Sequence, residues 1–319
     1  MHKDKYSSGD GYMYVYLLSI VACVVVALVV ALMIFGSGLF LNDSSVSPAP
    51  PVVNTSGSQS GADVSSETSE VSGPSRFSSC TVDNSEVNVG LLLLVNSDNR
   101  YVFPEENETV SLYSLLKNSS VSLSGTSVRL NSTAANALKS MCEAFYSESG
   151  LTTGIMVYNG YYSYDTVADK DGADAAGASD YHIGNTARLM VYPTKLGKIG
   201  VGDFEWFIHN CYSYGFILRY PADKSDLTGN EGSLGVYRYV GVCHAYYMYK
   251  NNLCLEEYLE LLKQYTPENP LIIDVQNKSY EVYYQAMEDG LSSTVQVPAD
   301  GSYIISGNNC DGFIITVTG

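Results

Sequence analysis

The stretch "SDYHIGNTARLMVY", Ser179 to Tyr192, decides how this chain is read. It places a serine, a histidine, a glycine and an alanine in a rhythm that raises the question of a metal site. Answering it means placing the stretch among its neighbours, because ligand residues act only when a scaffold brings them together.

Upstream, "NSTAANALKSMCEAFYSESG" sets Ala134, Leu138, Met141, Cys142 and Phe145 at helical spacing, with Ser132 able to cap the start and Gly150 the end. "GIMVYNGYYSYDT" follows as a strand that runs into a tyrosine-rich loop. Further upstream, the apolar run "VNVGLLLLVN", Val87 to Asn96, has the length and flanks of a buried strand. Downstream, a helix is expected over Asp203 to Tyr214 and a strand over "GFILRYP", ended by Pro221. "LCLEEYLELLKQY" gives another helix with Leu255, Tyr258, Leu259 and Leu262 on one face. From Leu271 on, "LIIDV", "YEVYYQAM", "STVQVP", "YIISGN" and "GFIITVTG" read as short strands of an antiparallel appendage. The pattern is that of an α+β domain in which an antiparallel sheet packs against helices.

The N-terminal part differs. Lys3 and Lys5 precede an uncharged run from Gly11 to Leu41. At 1.5 Å per residue such a run crosses a hydrocarbon core of about 30 Å. A single transmembrane helix is expected over 13–41 after a short cytoplasmic tail, 1–12, with a cleavable signal peptide, whose apolar region would be roughly 7 to 15 residues, as the alternative. Lysines before the span and Asp43 after it put the N-terminus in the cytoplasm and the remainder outside the cell membrane. Residues 42–84 begin with a Ser-, Pro- and Gly-rich tract whose composition cannot offset its ordering entropy, so a flexible linker is expected there. A domain over 85–268 and a small β extension over 269–319 complete the expected division. The formal charge of -17 in 319 residues excludes nucleic acid and anionic lipid head groups as partners by repulsion.

Six cysteines follow the span, Cys80, Cys142, Cys211, Cys243, Cys254 and Cys310, without a CxxC pair or Cys/His ligand spacing. Disulfides and buried free thiols are both open readings. Asn107 and Asn131 begin Asn-x-Ser/Thr triplets. "DKDGAD", Asp169 to Asp174, lacks the spacing and the terminal glutamate of a calcium loop and reads as an acidic solvated loop. His182 reads as a partly exposed histidine with an ordinary hydrogen bond, while His209, on the helix expected over 203–214, and His244, ahead of the next helix, read as structural or surface residues.

From Val87 to the C-terminus the chain resembles the VanY-type D-alanyl-D-alanine carboxypeptidases, zinc enzymes that trim the terminal D-alanine from bacterial cell-wall stem peptides. "YGFILRYP" (Tyr214 to Pro221), "RYVG" (Arg238 to Gly241), "LEEYL" (Leu255 to Leu259) and "GYYSYDT" (Gly160 to Thr166, beside the family's GYRSYxxQ loop) carry the resemblance, together with the tail "ISGNNCDGFIITV". It implies that family's fold, with zinc held by the His and Asp of SxHxxGxAxD and the His of EPWH, whose Glu is the general base. Aligning Ser179 and Gly184 with the first pattern puts Tyr181 on the histidine position and Arg188 on the aspartate position. The ungapped spacing between Thr228–Gly229 and Arg238 puts "SLGV" on EPWH, with Ser233 for the glutamate and Val236 for the histidine. The loop arginine that grips the substrate carboxylate is Tyr162, and the loop glutamine is Val167.

A catalytic zinc needs three protein ligands to hold it and to bring the pKa of its water down to about 7. A phenol with a reference pKa of about 10, a guanidinium and an alkyl group do not make that set. In the other frame, with His182 as ligand, Leu189 stands seven residues on and the glycine leaves its register. No intact catalytic residue and no metal or other cofactor is therefore expected, although the family implies zinc. Ser179, Tyr161, Tyr162 and Tyr164 remain as candidates for substrate contact. The expected protein is a membrane-anchored, single-pass module of the bacterial envelope, a pseudoenzyme whose partner is a peptidoglycan stem peptide or another envelope protein. An active carboxypeptidase using an unrecognised site and a purely structural spacer are the alternatives.

Overall fold

The stretch that opens the question lies in a five-stranded sheet with helices packed on it. A computed structural model describes residues 76–105, 108–172 and 175–319. In chain order its main elements are β1 (Phe77–Asp83), β2 (Thr109–Ser111), β3 (Ser122–Leu123), β4 (Arg129–Asn131), α1 (Ser132–Ser149), β5 (Ile155–Asn159), α2 (Tyr164–Asp171), β6 (Thr186–Val191), β7 (Phe216–Tyr220), β8 (Ser233–Tyr239), α3 (Val242–Lys250) and α4 (Leu255–Leu262). Five strands end the chain: β9 (Leu271–Val275), β10 (Lys278–Ala286), β11 (Ser292–Pro298), β12 (Ser302–Gly307) and β13 (Gly312–Thr318). The expected tail, transmembrane helix and most of the linker fall in residues 1–75 and lie outside the described residues. Among the described residues no helix is long and apolar enough to cross a membrane.

The central sheet runs β3-β5-β6-β8-β7. All its pairings are antiparallel except the short β3–β5 pair, which is parallel and departs from the expected antiparallel sheet. Helix α1 buries Ala134, Leu138, Met141, Cys142 and Phe145, the stripe its spacing foretold, together with Ala135, against Ile155 and Val157 of β5 and Ala187, Leu189 and Val191 of β6. It stops at Gly150, whose φ of 71° is open to glycine at no steric cost. Its N-cap is Asn131 rather than Ser132, and that side chain is engaged elsewhere, donating to the Ile183 carbonyl and to Asn185 at 3.0 Å each. The expected helix from Asp203 to Tyr214 is broken into a 3-10 turn, a short helix (Trp206–Asn210) and a second 3-10 turn.

Helices α3 and α4 share one core with the C-terminal strands: Val240, Cys243, Met248, Leu255, Tyr258 and Leu262 pack with Leu271, Ile273, Val282 and Ile314. The β extension of 269–319 is thus continuous with the domain. Four of its strands form the sheet β12-β13-β10-β9. The fifth, β11, pairs with β1 from Phe77↔Pro298 to Asp83↔Ser292, so residues 77–83 are a strand and not part of a linker ending at 84. His244 lies inside α3, where the sequence reading placed it ahead of a helix, and ties the core together by bonding the Tyr258 hydroxyl at 2.8 Å and Thr316 of β13 at 3.2 Å.

The Val87–Asn96 run is not a strand. Its polar backbone atoms find partners one at a time: Leu92 N–H donates to the Ser306 hydroxyl at 3.0 Å, Leu94 N–H to the Asn308 carbonyl at 3.0 Å, and Gly307 N–H to the Val89 carbonyl at 2.8 Å. Leu92, Leu93 and Val95 are buried all the same. The run is an apolar tape between the C-terminal sheet and the central one, which is why its composition imitates a buried strand. All six cysteines among the described residues are free thiols, four of them buried.

Candidate functional site

Strands β6 and β8 decide the geometry. Successive side chains alternate across a strand, so Thr186 and Arg188 share the face of β6 opposite to Ala187, Leu189 and Val191, which fill the core. Thr186 is the register partner of Arg238 and Arg188 that of Val236. Arg188 and Val236, which the motif spacing sets on the aspartate and second histidine positions, therefore stand directly opposite each other on neighbouring strands. At the β7 edge, past a register irregularity, Ser233 pairs with Tyr220. Gly235 lets the strands close up here: a β-carbon on it would lie 2.6 Å from the Leu189 carbonyl oxygen.

Tyr181 comes to the same place from the 3-10 turn Asp180–Ile183. Its ring lies 5.2 Å from that of Tyr162, and the Arg188 guanidinium lies 5.8 Å from the ring of Tyr158. Burial pushes the Tyr181 phenol well up, with a further push from Tyr220 that the Arg188 charge partly offsets. Tyr162 is raised for the same first reason, burial. Both phenols are neutral hydroxyl donors at physiological pH. Tyr181, Tyr162, Arg188 and Val236 are thus brought together, with Ser233 beside Tyr220 at the edge.

The other candidates are placed differently. Tyr161 N–H donates to the Arg129 carbonyl at 2.8 Å, and the Tyr101 phenol is raised by burial with a further push from Tyr161. Tyr164 opens α2 and packs edge-on against Phe103. Ser179 precedes the 3-10 turn without a capping bond from its hydroxyl, and its carbonyl accepts the His182 N–H at 3.1 Å. The loop expected at Gly160–Thr166 is the lead-in to α2, which runs on through Asp171, so half of "DKDGAD" is helix; residues 173–174 lie outside the described residues.

His182, expected to be partly exposed, is fully buried. Its Nε2 accepts the Gly177 N–H at 3.0 Å, which leaves the proton on Nδ1 to donate to the Tyr162 carbonyl at 2.7 Å. Tyr101 and Phe103 pack against the ring. Both nitrogens are occupied, and burial lowers its pKa. The imidazole clamps the tyrosine loop onto the segment before Tyr181. His209 is exposed beside Glu205 at 3.6 Å.

Beneath the site lies a charge network that pattern matching did not assign. Asp180 is buried to 1% exposure, and its Oδ1 accepts from Arg238 at 2.8 Å and Arg219 at 3.2 Å while Oδ2 accepts from the Thr186 hydroxyl. Arg219 also makes a forked contact with Glu256 at 2.9 and 3.2 Å, and Arg238 donates to the Leu91 and Leu93 carbonyls at 3.0 and 3.3 Å. Two cations and two anions balance. Burial would raise the Asp180 carboxyl, but the Arg238 and Arg219 charges and the bonds from Thr186 and Arg219 outweigh it and hold it below its ordinary value. A sequence signal existed: fully buried arginines require partners, and "LRYP" and "RYVG" each contribute one.

The donor set does not fit a catalytic zinc. Phenol, guanidinium, hydroxyl and alkyl groups occupy the four positions, and among the described residues no group of three or more His, Cys, Asp or Glu is arranged to hold a metal ion.

Comparisons bear directly on the ancestry of this arrangement. No family model matches the chain. A D-alanyl-D-alanine carboxypeptidase of Enterococcus faecium is 30% identical over 247 residues, covering 74% of this chain and 78% of that protein. A D-alanyl-D-alanine carboxypeptidase of Enterococcus faecalis is 37% identical over 87 residues, or 27% of this chain and 32% of that one. Among solved structures, the vancomycin-resistance D,D-dipeptidase VanXYg in complex with a D-Ala-D-Ala phosphinate analog shares the fold with a TM-score of 0.64 at 24% identity, covering 76% of this chain and 99% of its own. With the helices packed on the β6–β8 sheet and a relative matched over three quarters of its length, the chain belongs to the VanY-type D-alanyl-D-alanine carboxypeptidase family.

Proposed function

We propose that this protein is a membrane-anchored, outward-facing module of the bacterial envelope whose carboxypeptidase-like domain binds peptidoglycan stem peptides without hydrolysing them. The observation that carries the reading is Arg188 opposite Val236. A guanidinium repels a dication, and an alkyl group offers it no lone pair, at two of the three positions where the family's pattern puts zinc ligands. Without a metal-bound hydroxide and without a carboxylate at position 233, nothing at these positions generates a nucleophile. The peptide as ligand is supported by family membership and by the aromatic and hydroxyl groups that remain around the site.

The test is D-alanine release from a stem pentapeptide by the full chain, with and without added zinc. No release is expected in either case, and metal analysis after removal of adventitious ions should return no stoichiometric zinc. Val236→His alone should not restore turnover, because general-base help typically supplies about 10² to 10⁴ in rate and the metal hydroxide acts in addition to it. Joint Tyr181→His, Arg188→Asp, Ser233→Glu and Val236→His is the smallest set that rebuilds the donor groups, with Tyr162→Arg for the substrate carboxylate. Chelator-sensitive release of D-alanine by the unaltered chain would establish an active carboxypeptidase instead. Anchoring is tested by fractionation, with the chain expected in the membrane and released by detergent but not by high salt.

A further inference from the structure

Arg188 is exposed, and the ring of Tyr158 at 5.8 Å is its partner. Among the described residues it forms no ion pair, whereas Lys139, Lys224, Lys263, Arg219 and Arg238 all do. In a chain with 34 acidic and 17 basic residues, Arg188 shares this with Lys117, Arg129, Lys195, Lys198, Lys250 and Lys278, and its neighbours set it apart. Asp171, whose charge reaches Tyr162, lies 4.0 Å from Lys170.

The groups around Arg188 are of complementary kinds. Tyr162 and Tyr181, with rings 5.2 Å apart and both sensing the Arg188 charge, offer neutral hydroxyl donors. Val236, buried across the β6–β8 ladder, puts no acid opposite Arg188. A planar guanidinium fork matches the two oxygens of a carboxylate, and phenol hydroxyls add donors to it.

We infer that Arg188, with Tyr162 and Tyr181, is the receptor for the free C-terminal carboxylate of a bound peptide, so that a position the family pattern gives to a zinc ligand serves as an anion site. The inference rests on the reading that this domain binds peptide. It assigns terminal recognition to β6 in place of the loop position now held by Tyr162. Binding then requires a free peptide C-terminus, and peptides continued or capped at that end are rejected because the guanidinium loses its counter-charge.

The experiment is calorimetric titration of the full chain in detergent with an N-acetylated stem pentapeptide ending in D-alanyl-D-alanine, set against the same peptide as its C-terminal amide. The acid should bind at least roughly tenfold more tightly than the amide. Arg188→Gln should bring the acid down to the amide's affinity while leaving the amide unchanged, and Arg188→Lys should fall between, since it keeps the charge but loses the fork. Because Arg188 is exposed, the variants should melt with the parent, which is checked alongside. Equal binding of acid and amide, or discrimination that survives in Arg188→Gln, overturns this inference and leaves peptide binding standing. Binding of neither peptide overturns the peptide-binding reading and this inference with it.

Discussion

Asp180→Asn is expected to destabilise the domain by about 3 to 5 kcal/mol, the largest effect of any single change near the site. The carboxylate sits between two arginines that are 1% and 0% exposed, and removing its charge leaves those guanidinia with Glu256 as the sole balancing anion in the network. Breaking one partner of a buried ionic set costs far more than the set contributes as a whole, because the uncompensated charge cannot return to water. Urea unfolding at neutral pH measures it directly, with Thr186→Ala as the milder companion at about 1 kcal/mol, since that change removes one hydroxyl bond and leaves the charges balanced. A loss below 1 kcal/mol for Asp180→Asn would show that the arginines are solvated in solution. The change reaches the site as well, because Asp180 is the residue before Tyr181 and anchors the 3-10 turn that presents that phenol.

The second large effect is on pH. Burial lowers the His244 pKa from 6.5 to about 4, with Tyr258, Thr316 and the α3 backbone around it. A basic group whose folded pKa lies below its unfolded value is protonated first in the unfolded chain. The stability it contributes is therefore complete above about pH 6.5 and is lost as pH falls toward 4. At pH 4.5 the loss amounts to about 2 to 3 kcal/mol relative to pH 7. His182, also lowered by burial, acts in the same direction. Asp180, held below its ordinary value, adds its own loss only below the usual carboxylate range. The expected result is that His244→Gln flattens the pH dependence of the unfolding free energy between pH 7 and 4.5 by that amount. The imidazole itself can be followed by NMR in the unaltered domain, where a midpoint near 6.5 for His244 would refute the account irrespective of how the variant folds.

Periodicity alone settled the elements that are amphipathic on their own terms. The α1 stripe, the α4 face and the five C-terminal strands could be drawn from spacing because each sorts its own residues into a buried and an exposed set. Counting along the motifs likewise aligns Tyr181, Arg188, Ser233 and Val236 with the family's chemical positions. Where burial is supplied by distant parts of the chain, spacing failed. The Leu91–Leu94 run looked like a strand because it is apolar, yet its carbonyls are spent on Arg238 and its amides on Ser306 and Asn308, partners more than a hundred residues away. Residues 77–83 fell within the expected linker although the composition turns to that of a folded domain at Phe77, and β11 makes them a strand by offering its edge. Asp180 was an unremarked residue between two motif positions until Arg219 and Arg238 closed on it, and His182 read as a partly exposed histidine until Gly177 and Tyr162 occupied both its nitrogens. The sequence by itself thus determined which donor groups positions 181, 188, 233 and 236 offer, since donor chemistry belongs to the residue. Only the tertiary structure decided which groups face one another across β6 and β8, because pairing of charges and of strand edges is a property of distances that the order of residues does not contain.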